Sequence, residues 1–146
     1  MKKILVMVAT LFAYSVPAVA QQTAAPPEAQ VYFANHEDGA SVTSPVTLVF
    51  GLSGMGVAPA GTEKDNTGHH HLLLNRPPFG QGEDGADELM NGLPADENHM
   101  HFGGGQTEVT LDLPPGTHTL QLVLGDMGHV PHNPAVVSEV ITITVE

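Results

Sequence analysis

Leu113-Pro114-Pro115-Gly116-Thr117-His118-Thr119-Leu120-Gln121-Leu122-Val123-Leu124 is a tight turn running into an alternating pattern. Pro114-Pro115-Gly116 reverses the chain. His118, Leu120, Leu122 and Leu124 then alternate with Thr119, Gln121 and Val123. That period of two marks a strand with one buried face. The same period recurs upstream, where Val46, Leu48, Phe50 and Leu52 alternate with Thr47, Val49, Gly51 and Ser53. It recurs again at Val109, Leu111 and Leu113, and at Ile141, Ile143 and Val145. Residues 31–34, 69–75 and 99–102 read as further short strands. Turn and loop residues separate them, and no stretch keeps a helical period.

About seven short strands with turn signals between them predict an all-β fold, a single immunoglobulin/fibronectin-III-like β-sandwich. The 113–120 stretch resembles the corner that enters a late strand of fibronectin-type sandwiches, with His118 where those folds often place a tyrosine. A β-barrel is the structural alternative. The domain is expected over residues 31–146. Residues 76–98 form a long acidic loop rich in Gly and Pro, with Leu89, Met90 and Leu93 expected to tuck it against the body.

Residues 1–20 read as a cleavable signal peptide. Lys2 and Lys3 form a basic start, 4–14 is almost continuously apolar, and Ala18-Val19-Ala20 is a small-residue cleavage site. The apolar run is too short to span a bilayer, and no later stretch is long enough. The expected location is the periplasm of a bacterium. Residues 21–30, rich in Ala, Pro and Gln, read as a flexible leader. Beyond residue 20, only Lys64 and Arg76 oppose all 16 acidic residues, a formal charge of 2 − 16 = −14. Nucleic acid and anionic lipid would meet a negative surface, whereas cations are attracted. The chain has no cysteine, so disulfides, thiolate ligands and cysteine nucleophiles are excluded.

The histidines carry the chemistry. Seven of nine fall in three windows: His69-His70-His71, His99-Met100-His101, and His129-Val130-Pro131-His132. Residues i and i+2 of a strand share a face, so His69 pairs with His71 and His99 with His101. Each pair points away from the more apolar face. The candidate ligands are His69, His71, His99, His101, His129 and His132. Imidazole suits Cu(II) or Zn(II), and a four-coordinate site would use three or four of the six. Cu/Zn superoxide dismutases, also Greek-key sandwiches, use a strand His-x-His pair this way, an analogy of local geometry only. Asp96, Glu97, Glu108 or Asp126 could orient an imidazole. Met100 lies on the core side, which argues against it as a soft ligand, and Met127 is the other thioether candidate. His36 reads as a solvated surface residue and His118 as a hydrogen-bonded corner residue. His70 is open between structural and ligand roles.

Other chemistry is thin. The serines lack a nucleophile-elbow context. Gly103-Gly104-Gly105 has no nearby Lys or Arg and no following helix, so it reads as a site of close backbone approach beside the histidines and not as a phosphate loop. The acidic residues fit no EF-hand spacing. Three functions remain open. The first is an exported metal-binding protein for binding, delivery or buffering of a divalent ion. The second is a non-catalytic envelope module with structural histidines that binds a partner protein, a glycan or the cell-wall layer, the lack of Trp speaking against a stacking sugar platform. The third is a metal-dependent enzyme using Glu97 or Glu108 as acid or base, ranked last because nothing selects a reaction. Packed neutral imidazoles could also respond to acid below about pH 6.5.

Larger motifs point to a family. Asp38-Gly39-x-x-Val42-x-Ser44-Pro45, Phe50-Gly51-x-x-Gly54-Met55-Gly56-Val57-Ala58-Pro59-Ala60-Gly61, Gly68-His69-His70-His71-Leu72-Leu73 and Pro94-Ala95-Asp96 form the first half. His99-x-His101-Phe102-Gly103-x-Gly105-Gln106-Thr107-Glu108, Pro115-Gly116-x-His118-Thr119-Leu120-Gln121-Leu122 and Gly125-Asp126-x-x-His129-x-Pro131-His132 complete it. Together these resemble the DUF4399 family over nearly all of the chain beyond residue 30. The resemblance implies a small exported bacterial β-domain of uncharacterised function. It supplies no accepted ligand, substrate or catalytic residue. Every histidine except His36 falls within a matching motif.

Overall fold

The structure is a computed structural model, and it describes residues 22–146. The stretch read as a signal peptide lies outside the described residues. The chain is all-β, with strands β1 (Gln30–Phe33), β2 (Ala40–Val42), β3 (Val46–Ser53), β4 (Gly56–Val57) and β5 (Thr67–Leu74) preceding a one-turn helix, α1 (Gly85–Glu88). Then come β6 (His99–His101), β7 (Glu108–Leu111), β8 (Gly116–Gly125) and β9 (Ile141–Val145). All seven strands expected from the sequence form. Two more, β2 and β4, are only three and two residues long. They pair in parallel with β9 and β5, contacts made by backbone groups that side-chain alternation does not reveal.

The strands make two sheets. The smaller runs β1-β3-β7 and the larger β2-β9-β8-β5-β4, with β6 also paired to β5. Their facing sides close on one apolar core. Val46, Leu48 and Phe50 of β3 meet Leu72 and Leu74 of β5, Leu120, Leu122 and Leu124 of β8, and Ile141, Ile143 and Val145 of β9. Burying such side chains contributes roughly 1.5–3 kcal/mol each. His118 closes the corner as expected: its Nε2 lies 2.8 Å from the Pro114 carbonyl, and its Nδ1 accepts from Asn75 Nδ2 at 2.9 Å.

β5 and β8 are buried on both faces, unlike β3 and β9. Their outer faces hold a second, smaller core of Leu73, Leu93 and Val123, packed by Phe79 and Val137. Two loops supply this lid, 75–98 and 126–140. Gln121 ties them down, accepting from the Phe79 amide at 2.8 Å and donating to the Ser138 carbonyl at 3.0 Å. Of the three residues expected to anchor the first loop, only Leu93 does so. Leu89 and Met90 stand 42% and 54% exposed because α1 turns them outward. A half-buried Arg76 donating to buried Glu88 braces the loop instead, with the Gly80 amide on the second Glu88 oxygen at 3.1 Å.

Within the stretch read as a leader, residues 22–25 bond to the body. Ala24 bridges Asn133, and the Asn133 amide donates to Thr23 O at 2.9 Å. Among the described residues, no helix is long and apolar enough to cross a membrane.

Leu122 is fully enclosed between the sheets, so Leu122→Ala should lose about 2–5 kcal/mol in denaturant unfolding. Leu89→Ala should stay within about 0.5 kcal/mol of the parent. Equal effects at the two sites would contradict this core assignment.

Candidate metal centre

Strand register builds the site. β5 lies between β8 and β6, which places His69 opposite Gly125, His71 opposite Val123 and, on the other side, His71 opposite His101 and Leu73 opposite His99. Because Leu72 and Leu74 face the main core, His69 and His71 face the outer side, under the two loops. His69, His71 and His99 are fully buried there, whereas His101 is exposed and His129 half-buried. The cluster therefore has a closed floor and a mouth that solvent reaches.

Glycines make room for the rings. A Cβ at Gly125 would sit 2.8 Å from His71 Nε2, and one at Gly103 would sit 2.3 Å from His101 Cε1. The close approach expected of the Gly103–Gly105 run is therefore the seating of an imidazole against the backbone.

His129 arrives on the loop after β8. Its backbone is left-handed (φ 65°), a conformation that costs a non-glycine residue roughly 1–2 kcal/mol unless its surroundings hold it. Asp126 supplies that hold. Its Oδ1 accepts from the Gly128 amide at 2.8 Å and the Val130 amide at 3.0 Å, and its carbonyl accepts from the His129 amide at 3.0 Å. The Leu93 amide donates to the His129 carbonyl at 2.7 Å, locking the two lid loops together.

His69, His71, His101 and His129 each offer a ring nitrogen within 4.8 Å of the others. His69 Nε2 lies 3.1 Å from His71 Nε2 and 3.1 Å from His129 Nδ1. An imidazole nitrogen carries one in-plane lone pair or one proton. It cannot make two full hydrogen bonds of this kind. A cation at the common focus satisfies all the lone pairs together. With metal–nitrogen bonds of about 2.0–2.1 Å, tetrahedral ligands stand about 3.3 Å apart, close to the 3.1 Å between His69 and each of His71 and His129.

The other two candidates lie elsewhere. His99 packs edge-on against His71, with ring centres 5.3 Å apart, but its Nδ1 faces Arg76 Nη1 at 3.0 Å. A guanidinium only donates, so Nδ1 accepts and the proton of the neutral ring sits on Nε2. His132 is buried between two backbone carbonyls, with Nδ1 3.3 Å from Leu124 O and Nε2 3.2 Å from Thr67 O; a ring with one N–H donates to one of them, lodging His132 between β8 and β5. His70 faces the main core beside Phe50, and neither of its nitrogens has a partner. Met100 packs against that core and Met127 is exposed.

None of the carboxylates expected to orient an imidazole accepts a bond from a ring nitrogen. Asp96 accepts from the Asn98 amide, Asp126 serves its own loop, and Glu97 and Glu108 are exposed. Nδ1 of His69 and of His71 is buried without a partner, so those ring orientations rest on packing and strand geometry. The Arg76–Glu88 pair and its hold on His99 have no local sequence signal.

Burial keeps these imidazoles neutral. It lowers His69 to about 4, helped by His129 and His101, and His71 to about 2, helped by His69. His99 falls to about 4 through burial and then the Arg76 charge. Burial also lowers His101 and His70.

These features define a small all-β domain that holds a partly enclosed cluster of four imidazoles. The chain belongs to the DUF4399 family, whose model, described as a domain of unknown function, matches residues 48–146. No curated protein and no solved structure matches it.

A histidine whose folded pKa lies below its unfolded value binds its proton only on unfolding. The stability it contributes is fully present above about pH 6.5 and lost as pH falls toward the folded pKa, near 4 for His69 and His99. The slope is about 1.4 kcal/mol per pH unit per such histidine. Urea unfolding of metal-free protein should therefore show a marked drop from pH 7 to pH 5. Equal stability at the two pH values would contradict burial of the cluster as neutral rings.

Proposed function

We propose that the protein binds one divalent first-row metal ion, Cu(II) or Zn(II), through His69, His71, His101 and His129, and acts outside the cytoplasm in binding, delivering or buffering it. The observation that carries this reading is the meeting of three ring nitrogens at His69 Nε2, two contacts of 3.1 Å to one atom. The ligand set is narrower than the six histidines nominated by the sequence. His99 is committed to Arg76, and His132 is lodged between the Leu124 and Thr67 carbonyls. An all-imidazole set without thiolate suits Cu(II) and Zn(II), with Cu(II) bound more tightly at equal geometry. Three of the four ligands sit on strands whose register is set by the core, so the site is largely organised before the ion arrives.

The acidic surface draws cations, and residues 1–20, read as a cleavable signal peptide, favour the periplasm. Delivery implies an acceptor protein in the envelope. Two sheets closed over one core support an immunoglobulin-like scaffold. The structural-histidine reading gains from His118 and His132, which both bond backbone carbonyls. It leaves the convergence at His69 without a purpose.

Calorimetric titration with chelator competition tests the proposal. Cu(II) and Zn(II) should each bind at one equivalent. His69→Gln and His129→Gln should weaken binding by about 100-fold or more, beyond the effect of losing an outer partner. His36→Gln, remote from the cluster, should leave affinity unchanged. Binding no tighter than that of a scrambled peptide would sink the proposal.

A further inference from the structure

Three of the four proposed ligands are fixed by strand pairing, whereas His129 alone rides on a loop. That loop is closed by Asp126, which is buried. One of its oxygens is used by the amides of Gly128 and Val130, and its own amide donates to the Val130 carbonyl at 2.8 Å. The second oxygen accepts a bond from outside the loop: Thr23 Oγ1, 2.7 Å away and 103 residues earlier in the chain. Around Thr23 the chain is stitched to the far end of the same loop. Asn133 N donates to Thr23 O at 2.9 Å, and Ala25 N donates to Asn133 O at 3.3 Å. Gln22 Nε2 reaches the Leu89 carbonyl on the other lid loop at 2.6 Å.

We propose that residues 22–25 form a clasp on the site, with Thr23 and Asp126 as positioning residues for His129, so that displacing the segment frees the loop ligand and releases the ion. This rests on the metal assignment above. The physical logic is local. A left-handed histidine persists only where neighbouring bonds over-determine it. The Asp126 carboxylate provides those bonds and is itself held by the Thr23 hydroxyl. With the clasp seated, the ion meets four imidazoles. With it lifted, the strands retain His69, His71 and His101, and a water takes the fourth place. A partner that captured the first residues of the segment would convert a tight site into a labile one without altering either sheet. Thr23 also lies outside the span matched by the family, residues 48–146, so the clasp is carried by a part of the chain beyond that match.

The test uses the full chain and three forms: parent, Thr23→Val, which keeps the shape and loses the hydroxyl, and Thr23→Ser, which restores it. Each is loaded with Cu(II). Transfer of copper to excess EDTA should be about tenfold faster or more in Thr23→Val, the size expected for a lost hydrogen bond to a carboxylate. Its electron paramagnetic resonance spectrum should move from a four-nitrogen to a three-nitrogen pattern. Thr23→Ser should match the parent in both. An unchanged transfer rate and spectrum in Thr23→Val would overturn the clasp. If the parent itself takes up no copper or zinc, the metal assignment fails instead. The clasp is then read from hydrogen exchange of the Gly128 and Val130 amides in metal-free protein. Faster exchange in Thr23→Val upholds its hold on the loop, and equal exchange refutes it.

Discussion

The register of β5 is the constraint on which the rest of the molecule depends. Leu72 and Leu74 must face the main core, because turning them outward would expose two large apolar side chains and place His71 and Leu73 among the core leucines. Side chains alternate along a strand, so this choice also fixes His69 and His71 on the opposite side. Pairing with β6 sets His101 beside His71, and pairing with β8 sets Gly125 beside His69. Ordinary hydrophobic burial on one face of a sheet thereby gathers imidazoles on the other. The site needs no special fold, only a sheet whose second face is also covered.

Covering that face has a cost that points to function. Loops 75–98 and 126–140 bury rings whose nitrogens then lack partners, and an unsatisfied buried polar atom costs about 1–3 kcal/mol. A fold under selection for stability alone would fill these positions with Leu or Val, as it does at Leu73 and Val123 on the same face. Violations of local rules concentrated in one place, with a mouth to solvent at His101 and His129, are characteristic of a functional site. Neutrality follows from the same burial, and neutral imidazole is the form that binds a metal.

Much of this was legible in the sequence. Alternation in 46–53 and 116–124 revealed the strands, and the i, i+2 rule showed which histidines share a face. The parts that were not legible depend on contacts between distant residues or on loop backbone. β2 and β4 are too short to show alternation and pair through their backbones. His129 and His132 look alike as a spaced pair. The left-handed turn at His129 sends one ring to the cluster, while His132 lodges against Thr67 and Leu124. By alternation alone His99 is equivalent to His101, but Arg76, 23 residues away, claims its Nδ1. The cover over the outer face was legible only at Leu93, since the rest of the lid has few apolar anchors and is pinned by Gln121 and the Arg76–Glu88 pair. Residues 22–25 gave no pattern at all, and only the fold brings Thr23 to Asp126.

Gathering on one sheet face, burial, neutrality and convergence all lead to a single claim, that four imidazoles from β5, β6 and one loop surround one ion. X-ray absorption at the metal edge of the zinc-loaded protein measures this most directly. Four imidazoles around one ion should give a first shell of nitrogen at about 2.0–2.1 Å with the outer-shell scattering of about four rings. A shell dominated by oxygen, with one imidazole or none, would contradict it.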